Sequence, residues 1–232
     1  MIRCVLFDAA GTLLEVAEPV GATYARCARA HGLSADPAGL ERSFRQAFEE
    51  SPPLAFPDAP PAEVPDRERA WWRRVVVTAF ARAGVEGPDS AIEPAFRAVF
   101  AHFATPQAWR VFPDVRRTLE RLRARDVRTA VVSNFDGRLR RLLEALDLAG
   151  SFAAVVLSSE CGFAKPDPRI FVSALEVTAS RADETLHVGD SERLDLRAAR
   201  AAGLAALRID RGGARSRDTI TGLAEVAEHL TR

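Results

Sequence analysis

Lysine is almost absent from this chain of 232 residues: Lys165 is the only one among 32 basic residues, and the other 31 are arginines. Any chemistry that needs an ε-amine, a Schiff base above all, must use Lys165 or do without it. Cysteine is scarce as well. Cys4, Cys27 and Cys161 are odd in number and lack metal-ligand spacing, which argues against a disulfide framework and fits a reduced cytoplasmic protein with unpaired thiols. There is no excess charge, because 32 acidic residues balance the basic ones. A broad attraction to nucleic acid or to an anionic membrane is therefore not expected. Arginine clusters, such as Arg116, Arg117, Arg121, Arg123 and Arg125, are interspersed with acids and read as solvated helix faces. Long hydrophobic runs are missing, none approaching the roughly 20 residues that span a bilayer. An apolar strand begins within a few residues of Met1, with no charged-then-apolar leader ahead of it, so a secretory signal is not expected. The sequence specifies no oligomeric state.

The most informative segment is VLFDAAGTLL, Val5 to Leu14. An apolar run stops at Asp8 and is followed by Gly11 and Thr12, small residues suited to a tight loop. Asp8 then stands at the carboxyl end of a buried strand, where an open α/β sheet binds its ligands. It is the candidate nucleophile.

From about Val16 to Phe103 the pattern is helical. Val20 to Ala30, Leu40 to Glu49, Arg67 to Ala83 and Ala91 to Phe103 place apolar residues at three- and four-residue spacing. A connection carrying Pro52, Pro53, Pro57, Pro60, Pro61 and Pro65 interrupts them. From Phe112 the pattern changes to alternating helices and short strands. Pro113 and Asp114 open a helix, and strands are expected at Thr129 to Val132, Ala153 to Leu157, Leu186 to Val188 and Ala205 to Ile209. Helices are expected at Leu139 to Leu146, Pro168 to Val177, Leu194 to Ala202 and near Leu223 to Leu230. Five strands separated by helices imply right-handed crossovers and a parallel sheet covered on both faces. The predicted fold is α/β: a Rossmann-like core of residues 1–14 and 105–232 flanked by helices, with an all-helical cap inserted over residues 15–104.

Three more polar signals stand where apolar strands end. Ser133 and Asn134 close AVVSN, Lys165 lies in GFAKPDP, and Asp190 closes LHVGD. Any one of these is an ordinary turn former. Together they converge, because a parallel sheet brings the carboxyl ends of its strands to one edge.

In order and spacing, DAAGTLL at 8–14, VVSN at 131–134, KPDPRIF at 165–171 and VGDSERLD at 188–195, with RAARAAG behind it, resemble the four motifs of the haloacid dehalogenase superfamily. The resemblance covers essentially the whole chain. It implies that Asp8 attacks a phosphoryl group in line and forms an aspartyl-phosphate, and that Asp8, Asp190 and the main-chain carbonyl of Ala10 hold Mg²⁺. Asp195 would support that metal from behind or through water. Ser133 would hydrogen-bond the transferring group, with the Asn134 amide and Thr12 nearby, and Lys165 would supply positive charge. The substrate would be a small, phosphorylated molecule.

One position departs from the family. Its phosphatases carry an aspartate two residues after the nucleophile as acid and base, and here that residue is Ala10. Losing such assistance costs roughly 10²- to 10⁴-fold in rate. Branches that tolerate the loss include phosphonoacetaldehyde hydrolases, which need a cap lysine that residues 15–104 lack, and 2-haloacid dehalogenases, whose halide leaves without a proton. Three readings follow: a Mg²⁺-dependent phosphohydrolase, a dehalogenase using Asp8, and a catalytically impaired binder of a phosphorylated ligand. Within the cap, His31 and Glu18 are candidate replacement acids, and Tyr24 and Arg26 candidate entrance residues. GATYARCARAHGL and the paired Trp71 and Trp72 resemble the mammalian-type hydrolase-domain branch. On consecutive helical positions these two tryptophans point about 100° apart, so one of them is expected inside the cap core.

Overall fold

β1 (Cys4–Phe7) consists of CVLF and is buried along its whole length, as expected of a strand covered on both faces. A computed structural model of the protein describes residues 1–230. The chain divides into two units: Met1–Glu15, Leu54–Pro61 and Val111–Arg232 in one, Val16–Pro53 and Ala62–Arg110 in the other. Two short strands, β2 (Leu14–Val16) and β3 (Trp109–Val111), lie where the chain passes between them.

The first unit is built on β1, β4 (Arg128–Ser133), β5 (Ala154–Leu157), β6 (Thr185–Gly189), β7 (Ala205–Ile209) and β8 (Thr219–Ile220). The spatial order is β5-β4-β1-β6-β7-β8, and every pairing is parallel. In the register, Phe7 lies opposite Val131 on one side and Val188 on the other. The chain therefore leaves three adjacent central strands at Asp8, Ser133 and Asp190 on a common edge. The sixth strand was not expected from the sequence. Two residues are too few for a pattern, and Thr219 and Ile220 are recognisable only through their pairing with Arg208 and Ile209.

Helices α5 (Val115–Arg123), α6 (Arg138–Ala145), α7 (Ser158–Cys161), α8 (Arg169–Val177) and α9 (Ala198–Ala201) belong to the same unit. Asp114 precedes α5 but makes no side-chain cap to it. Its Oδ2 accepts instead from Arg211 and from the Leu223 N–H. Two expected helices differ in type. Glu192–Arg197 is π-helical before the single turn of α9, and Leu223–His229 is a 3₁₀ helix. The proline-rich segment Leu54–Pro61 packs within this unit. Leu54 is buried, its carbonyl accepts from Ser158 Oγ at 2.6 Å, and a Cβ on Gly162 would meet the Pro57 backbone at 2.7 Å.

The second unit comprises α1 (Val20–Ala30), α2 (Pro37–Glu49), α3 (Val64–Arg82) and α4 (Asp89–His102). α1 packs on α2 and α4, and α3 packs on the same two helices. α2 starts three residues before its apolar pattern, because the Asp36 carboxylate caps the N–H groups of Ala38 and Gly39 with Pro37 in the first turn. Tyr24 lies inside this unit, edge-on to Phe44, Phe80 and Phe103. It is a core residue rather than an entrance residue. Trp71 is also buried and donates Nε1–H to the Pro52 carbonyl at 2.8 Å, while Trp72 is half-buried and stacks on Phe48. No described helix is long and apolar enough to cross a membrane.

Candidate functional site

Asp8 leaves β1 with its own N–H bound to the Val188 carbonyl at 2.9 Å, so the strand ladder continues to the candidate nucleophile. Beyond it the chain turns sharply, with the N–H groups of Thr12, Leu13 and Leu14 all directed at the Ala9 carbonyl. Gly11 sits at φ +85°, and a Cβ there would lie 2.2 Å from Asp190 Oδ2. Only glycine admits both that conformation and that carboxylate.

Asp8 is buried, and its Oδ1 accepts two hydrogen bonds, from Ser133 Oγ at 3.0 Å and from Lys165 Nζ at 2.7 Å. Neither donor takes Oδ2. Lys165 is equally buried and donates a second time, to Asp195 Oδ1 at 2.6 Å. Burial opposes its charge, but Asp8 and Asp195 more than offset this and hold the ammonium above its ordinary range. Burial would also raise the Asp195 carboxyl. Lys165 and the His187 hydrogen bond reverse this and hold it below the usual carboxylate range. For Asp8, burial wins and pushes the carboxyl up, with Asp195 adding to the shift and Lys165 opposing it.

Asp195 reaches this position because the chain is locally widened. In the π-helical turn both Asp195 and Leu196 donate their N–H to the Ser191 carbonyl, an arrangement common at functional sites. Gly189 makes room for it, since a Cβ there would stand 2.1 Å from Asp195 Cγ. The ordinary role of an acid at a helix start is fulfilled too, because Asp195 Oδ2 accepts from the Ser191 N–H at 3.0 Å. Asp190 is exposed, yet its carboxyl is pushed up to about 6 by partial burial and by the charges of Asp8 and Asp195. Asp8, Asp190 and Asp195 each offer an oxygen within 4.8 Å of the others. A cavity of about 410 Å³ opens beside Asp190, lined by Gly11, Glu15, Phe112, Arg208 and Arg211 among others.

The sequence-derived residues thus meet, with two differences. Asn134 grips the Lys165 peptide in both directions: its Nδ2 donates to the Lys165 carbonyl at 2.8 Å and its Oδ1 accepts the Lys165 N–H at 2.7 Å. Its side chain is thus engaged in positioning the Lys165 peptide. Thr12 is fully buried, and its hydroxyl bonds to none of the other site residues. In the helical unit, Glu18 accepts from Thr23 Oγ1 at 2.6 Å and from Arg26 at 2.5 Å. The Thr23 hydrogen bond, then Arg26, holds it below the usual carboxylate range, which suits an ion pair and not a proton donor. Arg26 is engaged by the same contact. His31 closes the carboxyl end of α1.

Sequence reasoning missed two residues. Arg211 lies flat over Phe112, 3.7 Å from the ring centroid, and donates to the Thr12 carbonyl at 2.8 Å. It braces the loop after Asp8. His187, in the middle of β6, contacts Asp195 Oδ1 through Nε2 at 2.9 Å. A polar residue inside the buried run LHVG was the available signal.

Comparison with known proteins shows what the chain as a whole is similar to. The model of the haloacid dehalogenase-like hydrolases matches residues 2–203. Human haloacid dehalogenase-like hydrolase domain-containing protein 3 is 37% identical over 203 residues, spanning 88% of this chain and 80% of that protein. A HAD phosphatase from Thermococcus onnurineus superposes with a TM-score of 0.68 at 23% identity, over 99% of this chain and 98% of its own. A 2-haloacid dehalogenase from Pseudomonas syringae pv. Tomato DC3000 does so at 0.62 and 26%, over 100% and 99%. The chain belongs to the haloacid dehalogenase-like hydrolase family.

Proposed function

We propose that the protein is a Mg²⁺-dependent phosphohydrolase that works through Asp8 on a small phosphorylated metabolite in the cytoplasm. The observation that carries this reading is the meeting of three carboxylates, Asp8, Asp190 and Asp195, around the Lys165 ammonium. One ammonium leaves that cluster short of positive charge, and its hard oxygen donors suit a divalent cation. The oxygens of Asp195 are taken by Lys165, His187 and the Ser191 N–H. Asp8, Asp190 and the Ala10 carbonyl are then the groups that would hold the ion, with Asp195 supporting them. Bound there, Mg²⁺ would offset carboxylate–phosphate repulsion and stabilise charge on the transferring group.

Asp8 Oδ2 attacks phosphorus in line; the bond to the leaving oxygen breaks, and that oxygen departs with the electron pair. Lys165 and Ser133 stand beside the nucleophile to receive phosphoryl oxygens, and the Asn134 main-chain N–H and Thr12 lie on the same loops. Water then attacks phosphorus, which frees the Asp8 carboxylate and leaves the water proton with the released phosphate. Ala10 can neither protonate the leaving oxygen nor activate that water. Aryl and acyl phosphates, whose leaving groups need no proton, are accordingly the preferred substrate class. Zero net charge and unpaired cysteines support a small-molecule substrate in a reducing compartment rather than nucleic acid or a membrane.

Ala10 favours a second reading, displacement of halide from a 2-haloacid by Asp8, since halide leaves without a proton. The carboxylate cluster weighs against it. The test is p-nitrophenyl phosphate hydrolysis with Mg²⁺, with EDTA, and in Asp8→Asn. Metal-dependent turnover that vanishes in the variant upholds the phosphohydrolase, whereas chelator-insensitive halide release from 2-haloacids replaces it.

A further inference from the structure

We propose that His187 is a positioning residue of this site: by donating Nε2–H to Asp195 it locks the carboxylate that holds Lys165 against the nucleophile. The proposal rests on the reading of Asp8 as nucleophile, and its test is separable from that reading.

The argument starts from where the histidine is. β6 is buried at every residue, and His187 is fully buried between Leu186 and Val188. In a central strand of a parallel sheet such a position is ordinarily aliphatic, and a buried imidazole is unfavourable unless its nitrogens are paired. Only one of them is. Nδ1 is buried with no hydrogen-bond partner, while Nε2 lies 2.9 Å from Asp195 Oδ1. The contact from Nε2 to Asp195 is the polar interaction that accounts for a histidine at this position.

The acceptor decides the tautomer. An ionised carboxylate can only accept, so the hydrogen sits on Nε2, and in the neutral ring Nδ1 carries the lone pair. The ring cannot easily turn away, because its edge packs on Phe171 of α8 with centroids 4.9 Å apart and planes at 75°. Asp195 Oδ1 is thus fixed from two directions, by His187 and by Lys165, and Oδ2 is fixed from a third by the Ser191 N–H. Lys165 in turn spans Asp195 and Asp8. The result is a continuous line of four side chains, His187–Asp195–Lys165–Asp8, running from inside the sheet to Oδ1 of the nucleophile's carboxylate. Without Nε2–H, Asp195 would keep the Ser191 contact but lose the donor that sets the tilt of Oδ1. Lys165 would then gain freedom to leave Asp8.

The single lysine makes this testable with little ambiguity, since selective ¹⁵Nζ-lysine labelling yields one ammonium signal. In the unaltered protein we expect His187 in the Nε2–H tautomer by ¹⁵N imidazole NMR, and one exchange-protected Lys165 signal. In His187→Phe, which keeps a packed ring, the Lys165 signal should shift and lose protection. Turnover of p-nitrophenyl phosphate should fall about 10- to 100-fold in kcat, the usual effect of losing a residue that orients a ligand-bearing group, with little change in KM. His187→Gln places a carboxamide N–H where Nε2 was and should restore both the signal and most of the rate. A His187 ring in the Nδ1–H tautomer, an unchanged Lys165 signal in His187→Phe, or a His187→Gln variant as impaired as His187→Phe at equal melting temperature would overturn the proposal. If the unaltered protein hydrolyses no phosphate ester, the phosphohydrolase reading fails, while the tautomer and the Lys165 signal still decide the role of His187.

Discussion

Lys165 Nζ lies 2.6 Å from Asp195 Oδ1, with both side chains almost wholly buried. The same ammonium lies 2.7 Å from Asp8 Oδ1, so one buried cation serves two buried carboxylates. Removing it strands both charges. Lys165→Met should destabilise the protein by about 3 to 5 kcal/mol at neutral pH, as for other buried pairs broken on one side. The deficit should shrink on acidification, because protonating Asp8 or Asp195 relieves the stranded charge. Lys165→Arg should keep the fold better but lose kcat by about 10²-fold or more, since a planar fork cannot reproduce two contacts converging on one nitrogen. Urea melts at pH 7 and pH 5, with kcat for p-nitrophenyl phosphate, check both.

Gly189→Ala tests the placement of Asp195. The added Cβ would meet Asp195 Cγ at 2.1 Å and Oδ1 at 2.5 Å, so the carboxylate must move. Overpacking of this kind costs about 1 to 3 kcal/mol. A lower melting temperature accompanied by loss of turnover is expected. Ala199→Gly, in the buried α9 turn, provides a control that lowers stability without touching Asp195 and should leave kcat unaltered.

Asp190 provides the pH prediction. Its carboxyl is raised to about 6 in the folded protein, against about 3.9 for a free aspartate. Between these values the folded state holds a proton that the unfolded chain has lost, so stability falls as pH rises from about 4 to 6 and stays lower above that. Asp190→Asn should therefore melt higher than the parent at pH 7.5 and close to it at pH 4, measured in EDTA. Adding Mg²⁺ at pH 7.5 should raise the melting temperature of the parent and not of the variant. Equal responses would remove Asp190 from the metal site.

Ala10→Asp should raise turnover of alkyl phosphates by up to about 10²- to 10⁴-fold, the range of general acid–base assistance, and that of aryl phosphates much less. In the unaltered protein, rate should fall steeply as the leaving group becomes more basic. Equal rates for aryl and alkyl esters would mean that another group already supplies the proton.

The candidate site's edge is legible in the sequence for a physical reason. Asp8, Ser133 and Asp190 each end an apolar run, and those runs become the adjacent strands β1, β4 and β6. Lys165 stood out because the chain otherwise uses arginine. Contacts set by tertiary packing were not legible. Asn134 was recognisable as a residue, but its two-way grip on the Lys165 peptide requires the loops after β4 and β5 to meet. Tyr24 looked like an entrance residue because nothing local shows that Phe44, Phe80 and Phe103, from distant parts of the chain, close around it. β8 was missed because its two residues gain their identity only from β7. The π-helical turn is not legible, because a single widened turn leaves no periodic trace.

The most direct test is to mix the protein with an aryl phosphate and Mg²⁺, quench in acid within one turnover, and map phosphoryl groups by peptide mass spectrometry. Phosphate on the peptide carrying Asp8, lost with EDTA and absent in Asp8→Asn, is the predicted result. Turnover that leaves Asp8 unmodified, or modification indifferent to the chelator, would contradict metal-assisted transfer through this residue.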